Sequence, residues 1–101
     1  MGSKRVVKMK ISELESRTGL TGVVDGHKVA VFSENNQLIV LENVCTHMGC
    51  QTDWNEAELT WDCPCHGSRF KPAGEVLIGP AQKPLKTIKH VISNGEIHLV
   101  D

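Results

Sequence analysis

The sequence predicts an all-β domain, a small antiparallel sandwich or barrel with two cysteine-bearing loops. Three observations point there. Short runs of β-branched and aromatic residues alternate with turn residues throughout. An Asn94-Gly95 pair separates two such runs, and Asn-Gly is the strongest short-range hairpin signal because both residues tolerate positive φ. All four cysteines fall in two short boxes, CTHMGC (45–50) and CPCHGSRF (63–70), and both boxes are flanked by strand-like or turn-like sequence rather than by helical periodicity.

The elements follow in order. SELESRT (12–18) reads as one helical turn with Ser12 as its N-cap. HKVAVFS (27–33) reads as a strand, ENNQ (34–37) as a turn and LIVLENV (38–44) as the returning strand of a hairpin. Cys45 then opens the first box at the strand's end. LTWD (59–62) is a short strand leading into Cys63, and Pro64, Gly67, Pro72 and Gly74 break regular structure around the second box. TIKHVIS (87–93), the turn 94–95 and EIHLVD (96–101) make a last hairpin. Both boxes therefore sit on loops, the usual way a rigid β scaffold presents a site.

At 101 residues the chain is expected to be one domain, burying roughly 60–65% of its unfolded surface. Eleven basic residues balance twelve acidic ones, for a net charge of −1. That argues against a nucleic-acid binder, which needs a basic patch, and against a polybasic membrane-surface module. No apolar run is long enough to span a membrane, and the basic start has no apolar stretch after it as a signal peptide would. The chain is therefore expected to be soluble and cytoplasmic, whole or as a piece of a longer protein.

Four cysteines without a secretory signal read as metal or redox chemistry rather than as a secreted disulfide framework. Their clustering is too tight for inert core filling. The spacing is Cys45-x-His47, then fifteen residues, then Cys63-x-x-His66. One tetrahedral zinc could use such a Cys₂His₂ set, but structural zinc pairs usually draw one kind of ligand from each pair. Here each box mixes a thiolate with an imidazole. That suits two adjacent metals better, each loop giving a Cys to one and a His to the other.

These residues resemble the ligand signature of Rieske [2Fe–2S] proteins. In such centres two His replace two Cys on one iron, which raises the potential to about −150 to +300 mV. The resemblance implies that Cys45 and Cys63 bind one iron and His47 and His66 the other. It implies a Rieske-type fold whose cluster-binding part spans about 43–82. Two thiolates leave the oxidised site with a net charge of about zero, whereas four would leave it about −2, so an electron is added at lower cost. Reduction places a negative charge beside two imidazoles, so electron uptake is expected to be coupled to proton uptake.

The same resemblance assigns the remaining residues. Cys50 and Cys65 stand where high-potential members have a disulfide joining the two loops. Ser68 stands where a hydroxyl donates to a bridging sulfide. Phe70 stands where a tyrosine often donates to a ligand cysteine, and the chain contains no tyrosine, so a potential below the highest members is expected. Gly79-Pro80-Ala81 resembles the proline loop that covers the cluster, which places Pro80 against the cofactor. Met48, Gly49, Pro64 and Pro80 would form an apolar rim. Trp54 and Trp61 are expected in the core, and His27, His90 and His98 on the surface or in packing roles.

The implied function is one-electron transfer, with no catalysis by the domain alone. The wider pattern, CTHMGC, WDCPCHGSRF and GPAQKPL, looks most like the C-terminal Rieske domain of bacterial FAD-dependent oxidoreductases, whose partner would be a flavin domain. The alternatives are a stand-alone Rieske ferredoxin, the soluble head of a quinol-oxidising complex, and, in other classes, a zinc-stabilised interaction module or a redox sensor acting through Cys50 and Cys65.

Overall fold

A computed structural model of the chain describes residues 18–34, 37–46 and 49–100. Nine strands run through them: β1 (Thr18–Val24), β2 (His27–Glu34), β3 (Gln37–Glu42), β4 (Asp53–Asn55), β5 (Thr60–Asp62), β6 (Arg69–Phe70), β7 (Val76–Ile78), β8 (His90–Ser93) and β9 (Glu96–Leu99). All pairings are antiparallel, in sheets ordered β1-β2-β3, β4-β5-β6-β7 and β8-β9. The all-β expectation holds.

β2 explains how the sheets stack. A strand turns successive side chains to opposite faces. Ala30 and Phe32 enter a core shared with Trp61, Phe70, Cys45, Cys63 and Leu85. Val29 and Val31 enter a second core with Val24, Val40 and Ile97. β3 divides the same way, Leu41 and Ile39 to the first core and Val40 and Leu38 to the second. The three-stranded sheet is thus covered on both faces, by the cysteine-bearing sheet on one and the β8-β9 hairpin on the other. That is why 29–32 is an unbroken apolar run rather than an alternating one.

Turn chemistry sets the registers. Asp25-Gly26 (φ 50° and 80°) joins β1 to β2 and Asn94-Gly95 (φ 54° and 75°) joins β8 to β9, both with the paired positive φ that matches strand twist. Between β2 and β3 the last paired residues are Glu34 and Gln37. The register slips between Arg69 and Phe70, which pair with Ile78 and Val76 and leave Leu77 as an extra residue, a bulge at the sheet's edge.

The structure adds β1, β4, β6 and β7 to the strands expected from sequence. It starts the last hairpin at His90, because residues 86–88 instead run beside β3: Lys86 accepts from the N–H of Glu42, and Ile88 donates to Val40. The expected helical turn over 12–18 lies outside the described residues except for Thr18, which opens β1. Trp54 and Trp61 pack tilted with ring centroids 4.6 Å apart, and Phe32 lies 5.2 Å from Trp54. Trp61 is buried and Trp54 half-buried in the first core, while His27 is exposed and His90 and His98 are half-buried on strands.

Candidate metal centre

The two boxes close into the same loop. The Cys45 N–H donates to Cys50 O at 2.6 Å and the Gly49 N–H donates back to Cys45 O at 2.8 Å. In the second box the Cys63 N–H donates to Ser68 O at 2.8 Å and the Gly67 N–H to Cys63 O at 3.1 Å. Gly49 and Gly67 occupy the same left-handed conformation, φ 79° and 83°, which L side chains adopt only with strain. The two boxes therefore close with the same pair of backbone bonds and the same glycine conformation, a relationship the unequal ligand spacings conceal.

Each loop is locked at its neck. Below the first, buried Asn43 Oδ1 accepts from the Thr52 N–H (2.9 Å) and Thr52 Oγ1 (2.7 Å), and Asn43 Nδ2 donates to Thr52 O at 3.3 Å. Below the second, Asp62 accepts from Arg69 Nε and Nη2 (3.1 and 3.3 Å), Asn55 Nδ2 (2.8 Å) and Thr60 Oγ1 (2.6 Å). Those donors hold the Asp62 carboxyl below its ordinary range although burial, the largest single influence, pushes it up. A third loop, from Gly79 to Leu85, is tied to both boxes. Ala81 N–H donates to Ser68 Oγ at 3.0 Å and Thr46 Oγ1 donates to Lys83 O at 2.6 Å. The opposite charges of Asp62, just before the second box, and Arg69, inside it, are a signal the sequence carries for this neck; Asn43, Thr52 and Thr46 carry none.

Cys45 and Cys63 are buried side by side, 2% and 3% exposed. Burial pushes the Cys63 thiol up; the Cys65 N–H opposes this, the adjacent Cys45 thiol adds to it, and the His66 N–H opposes it. Two amides aimed at one sulfur in a dry pocket are what a thiolate ligand needs once a cation displaces its proton. His66 is exposed. Two buried thiols, Cys45 and Cys63, and the exposed His66 are a mixed sulfur and imidazole donor set whose chemistry fits iron or zinc. His47 and Met48 lie outside the described residues.

Cys50 and Cys65 form a disulfide across the two boxes, with Cα atoms 6.5 Å apart. A link closing a loop of this length contributes about 3 kcal/mol in the chain-entropy account. The sulfurs of Cys50, Cys63 and Cys65 all lie within 4.8 Å of one another, but two are spent on each other and donate to no metal. Gly49, Pro64 and Pro80 are exposed, and the Gly79-Pro80 peptide is cis. Beside them an open cavity of about 460 Å³ is lined by Thr46, Pro80, Gln82 and Lys83. Two further cavities, of 380 and 530 Å³, flank residues 86–91 and have no cysteine among the described residues that line them.

The model of the Rieske [2Fe-2S] domain family matches residues 4–89. Over 81 residues the chain is 46% identical to Bacillus subtilis YhfW, whose name describes it as a Rieske 2Fe-2S iron-sulfur protein; the match covers 79% of this chain and 16% of that protein. It is 35% identical to the cytochrome b6-f complex iron-sulfur subunit of Chlorobaculum tepidum, over 85% of this chain and 48% of that one. The chain thus spans under half the length of these curated relatives. The crystal structure of the cyanobacterial plasma membrane Rieske protein PetC3 from Synechocystis PCC 6803 superposes with a TM-score of 0.78 at 31% identity, covering 95% of this chain and all (100%) of that one.

Proposed function

The chain belongs to the Rieske [2Fe-2S] domain family, and from that premise we propose that it passes single electrons through a cluster held by Cys45 and Cys63 on one iron and by His47 and His66 on the other. When bound, the cluster supplies a one-electron couple near neutral charge. The chain's own residues do the rest. The buried thiols and the amides of Cys65 and His66 hold the sulfur side dry and rigid, so the site reorganises little between redox states. Exposed His66 marks the edge at which a partner docks. The domain boundaries follow the same reading, with residues 43–82 as the cluster-binding part of one unit.

The observation that carries this is the buried, adjacent Cys45–Cys63 pair in boxes that also carry an exposed histidine, His66. EPR of the reduced, iron-loaded chain tests it. Mixed histidine and cysteine ligation gives a spectrum distinct from all-cysteine ligation, and His66→Ala should abolish it. An all-cysteine spectrum would remove the reading.

For the partner, the relatives favour the soluble head of a quinol-oxidising complex, since cytochrome b6-f subunits recur among them. A domain of a flavin-dependent oxidoreductase is the second reading, supported by the small share of YhfW that the chain matches. No helix among the described residues is long and apolar enough to cross a membrane; an anchored head and a cytoplasmic fusion both agree with that. The full reading frame upstream of residue 1 separates them: an apolar anchor supports the first, a dinucleotide-binding fingerprint the second.

A further inference from the structure

We propose that Trp54 and Trp61 form a relay by which a one-electron oxidant of the radical class, meeting Trp54, is quenched with an electron from the cluster. The inference rests on the reading of the chain as an electron carrier. The chain has two tryptophans and no tyrosine, and the two indoles touch, with ring centroids 4.6 Å apart and planes tilted by 57°. Trp61 is buried, lies two residues before Cys63, and shares with it the core that also contains Cys45. Trp54 is half-buried, so its indole is the end of the pair that solvent reaches. Indoles in contact pass electrons more readily than saturated side chains, because their filled π levels lie higher and overlap.

The two indole N–H groups meet different acceptors. Trp54 Nε1 donates to Glu56 Oε1 at 2.7 Å, and Thr18 Oγ1 donates to the same oxygen at 2.6 Å. The bonds from Thr18 and Trp54 hold that carboxyl below its ordinary range, so near neutrality it is a carboxylate that can accept a proton. Trp61 Nε1 donates to Pro72 O at 3.2 Å, a carbonyl that takes up none. The oxidant removes one electron from the Trp54 indole. The indole radical cation is a far stronger acid than the indole, and its Nε1 proton passes to Glu56 Oε1. The oxidised state therefore rests on Trp54, the outer ring, rather than on Trp61 beside the ligand thiols. An electron then arrives through Trp61, and Glu56 returns the proton to Nε1. The oxidant has gained one electron, the cluster has lost one, and both tryptophans and Glu56 end as they began.

The test uses azide radicals, made by pulse radiolysis, on anaerobic iron-loaded chain, one half oxidised and the other reduced and freed of excess reductant. With no tyrosine present, the transient indole-radical absorption reports these two residues alone. In the reduced half it should vanish in a first-order phase, independent of protein concentration, as the absorption of the oxidised cluster returns. In the oxidised half that phase should be absent, and peptide mapping should find oxidation products on Trp54. Trp61→Phe should lose the phase while keeping the EPR signal of the reduced state, and Glu56→Gln should hold the radical in its cation form. A radical that decays alike in both halves overturns the inference, as does a phase that survives in Trp61→Phe. Where Trp61→Phe fails to load, Trp54→Phe decides: reoxidation that keeps its rate and yield there overturns the relay, and its loss supports it. An all-cysteine EPR signal with the same phase and the same losses overturns the ligand reading and leaves the relay standing.

Discussion

Ser68 and Ala81 are joined by a hydrogen bond between two buried residues, the Ala81 backbone N–H donating to Ser68 Oγ at 3.0 Å. The same hydroxyl was expected to serve the cluster. Accepting from Ala81 leaves its own proton to donate, so one side chain can anchor the third loop and face a sulfur. Ser68→Ala strips a buried N–H of its partner, at a cost of about 1–3 kcal/mol. Urea unfolding of the loaded protein should show that loss, and voltammetry a lower potential. Unchanged stability would mean that the loop holds without this bond.

Phe70 is fully buried in the core that also contains Cys45 and Cys63. A hydroxyl there would donate to sulfur and stabilise the reduced, more negative form. Phe70→Tyr should therefore raise the midpoint potential while leaving the cluster bound. A loaded variant with the same potential would show that the added hydroxyl points elsewhere.

Gly19 on β1 faces the tryptophan pair. A Cβ there would lie 2.5 Å from Trp54 Cδ2 and 2.8 Å from Trp61 Cη2. Trp61 is buried and cannot retreat. Gly19→Ala should cost about 1–3 kcal/mol by overpacking and shift the tryptophan fluorescence; thermal melts of the loaded protein decide.

Acid should loosen the second neck first. The carboxyl of Asp62 ionises more readily folded than unfolded. Its contribution is complete above the unfolded value of about 3.9 and fades as pH falls through the lower folded value. Asp62→Asn should thus be less stable than the parent near neutrality yet show a shallower loss below about pH 4. Parallel acid profiles for the two proteins would exclude the neck as the sensitive element.

What the sequence disclosed was local. Asn94-Gly95 fixes its turn by its own φ preferences, and Asp25-Gly26 carries the same signal for the β1-β2 hairpin, which the helical reading of 12–18 obscured. The boxes announced themselves because metal-binding residue types are rare and clustered. The necks and tethers did not: Asn43 meets Thr52, and Thr46 meets Lys83, only once distant strands have paired. β6 and β7 are too short, at two and three residues, to have a period of their own, and only the pairing of β6 with β5 and of β7 with β6 makes them strands.

The sheet β1-β2-β3 acts as a party wall. Residues of even number on β2 furnish the room that holds the cysteines, and those of odd number furnish the room under the β8-β9 hairpin. Renovation on one side, such as a new hairpin sequence or a different attachment for a neighbour, leaves the redox room's furniture where it was. The same electron-carrying tip can therefore be fitted to unrelated larger proteins by rebuilding only the far side.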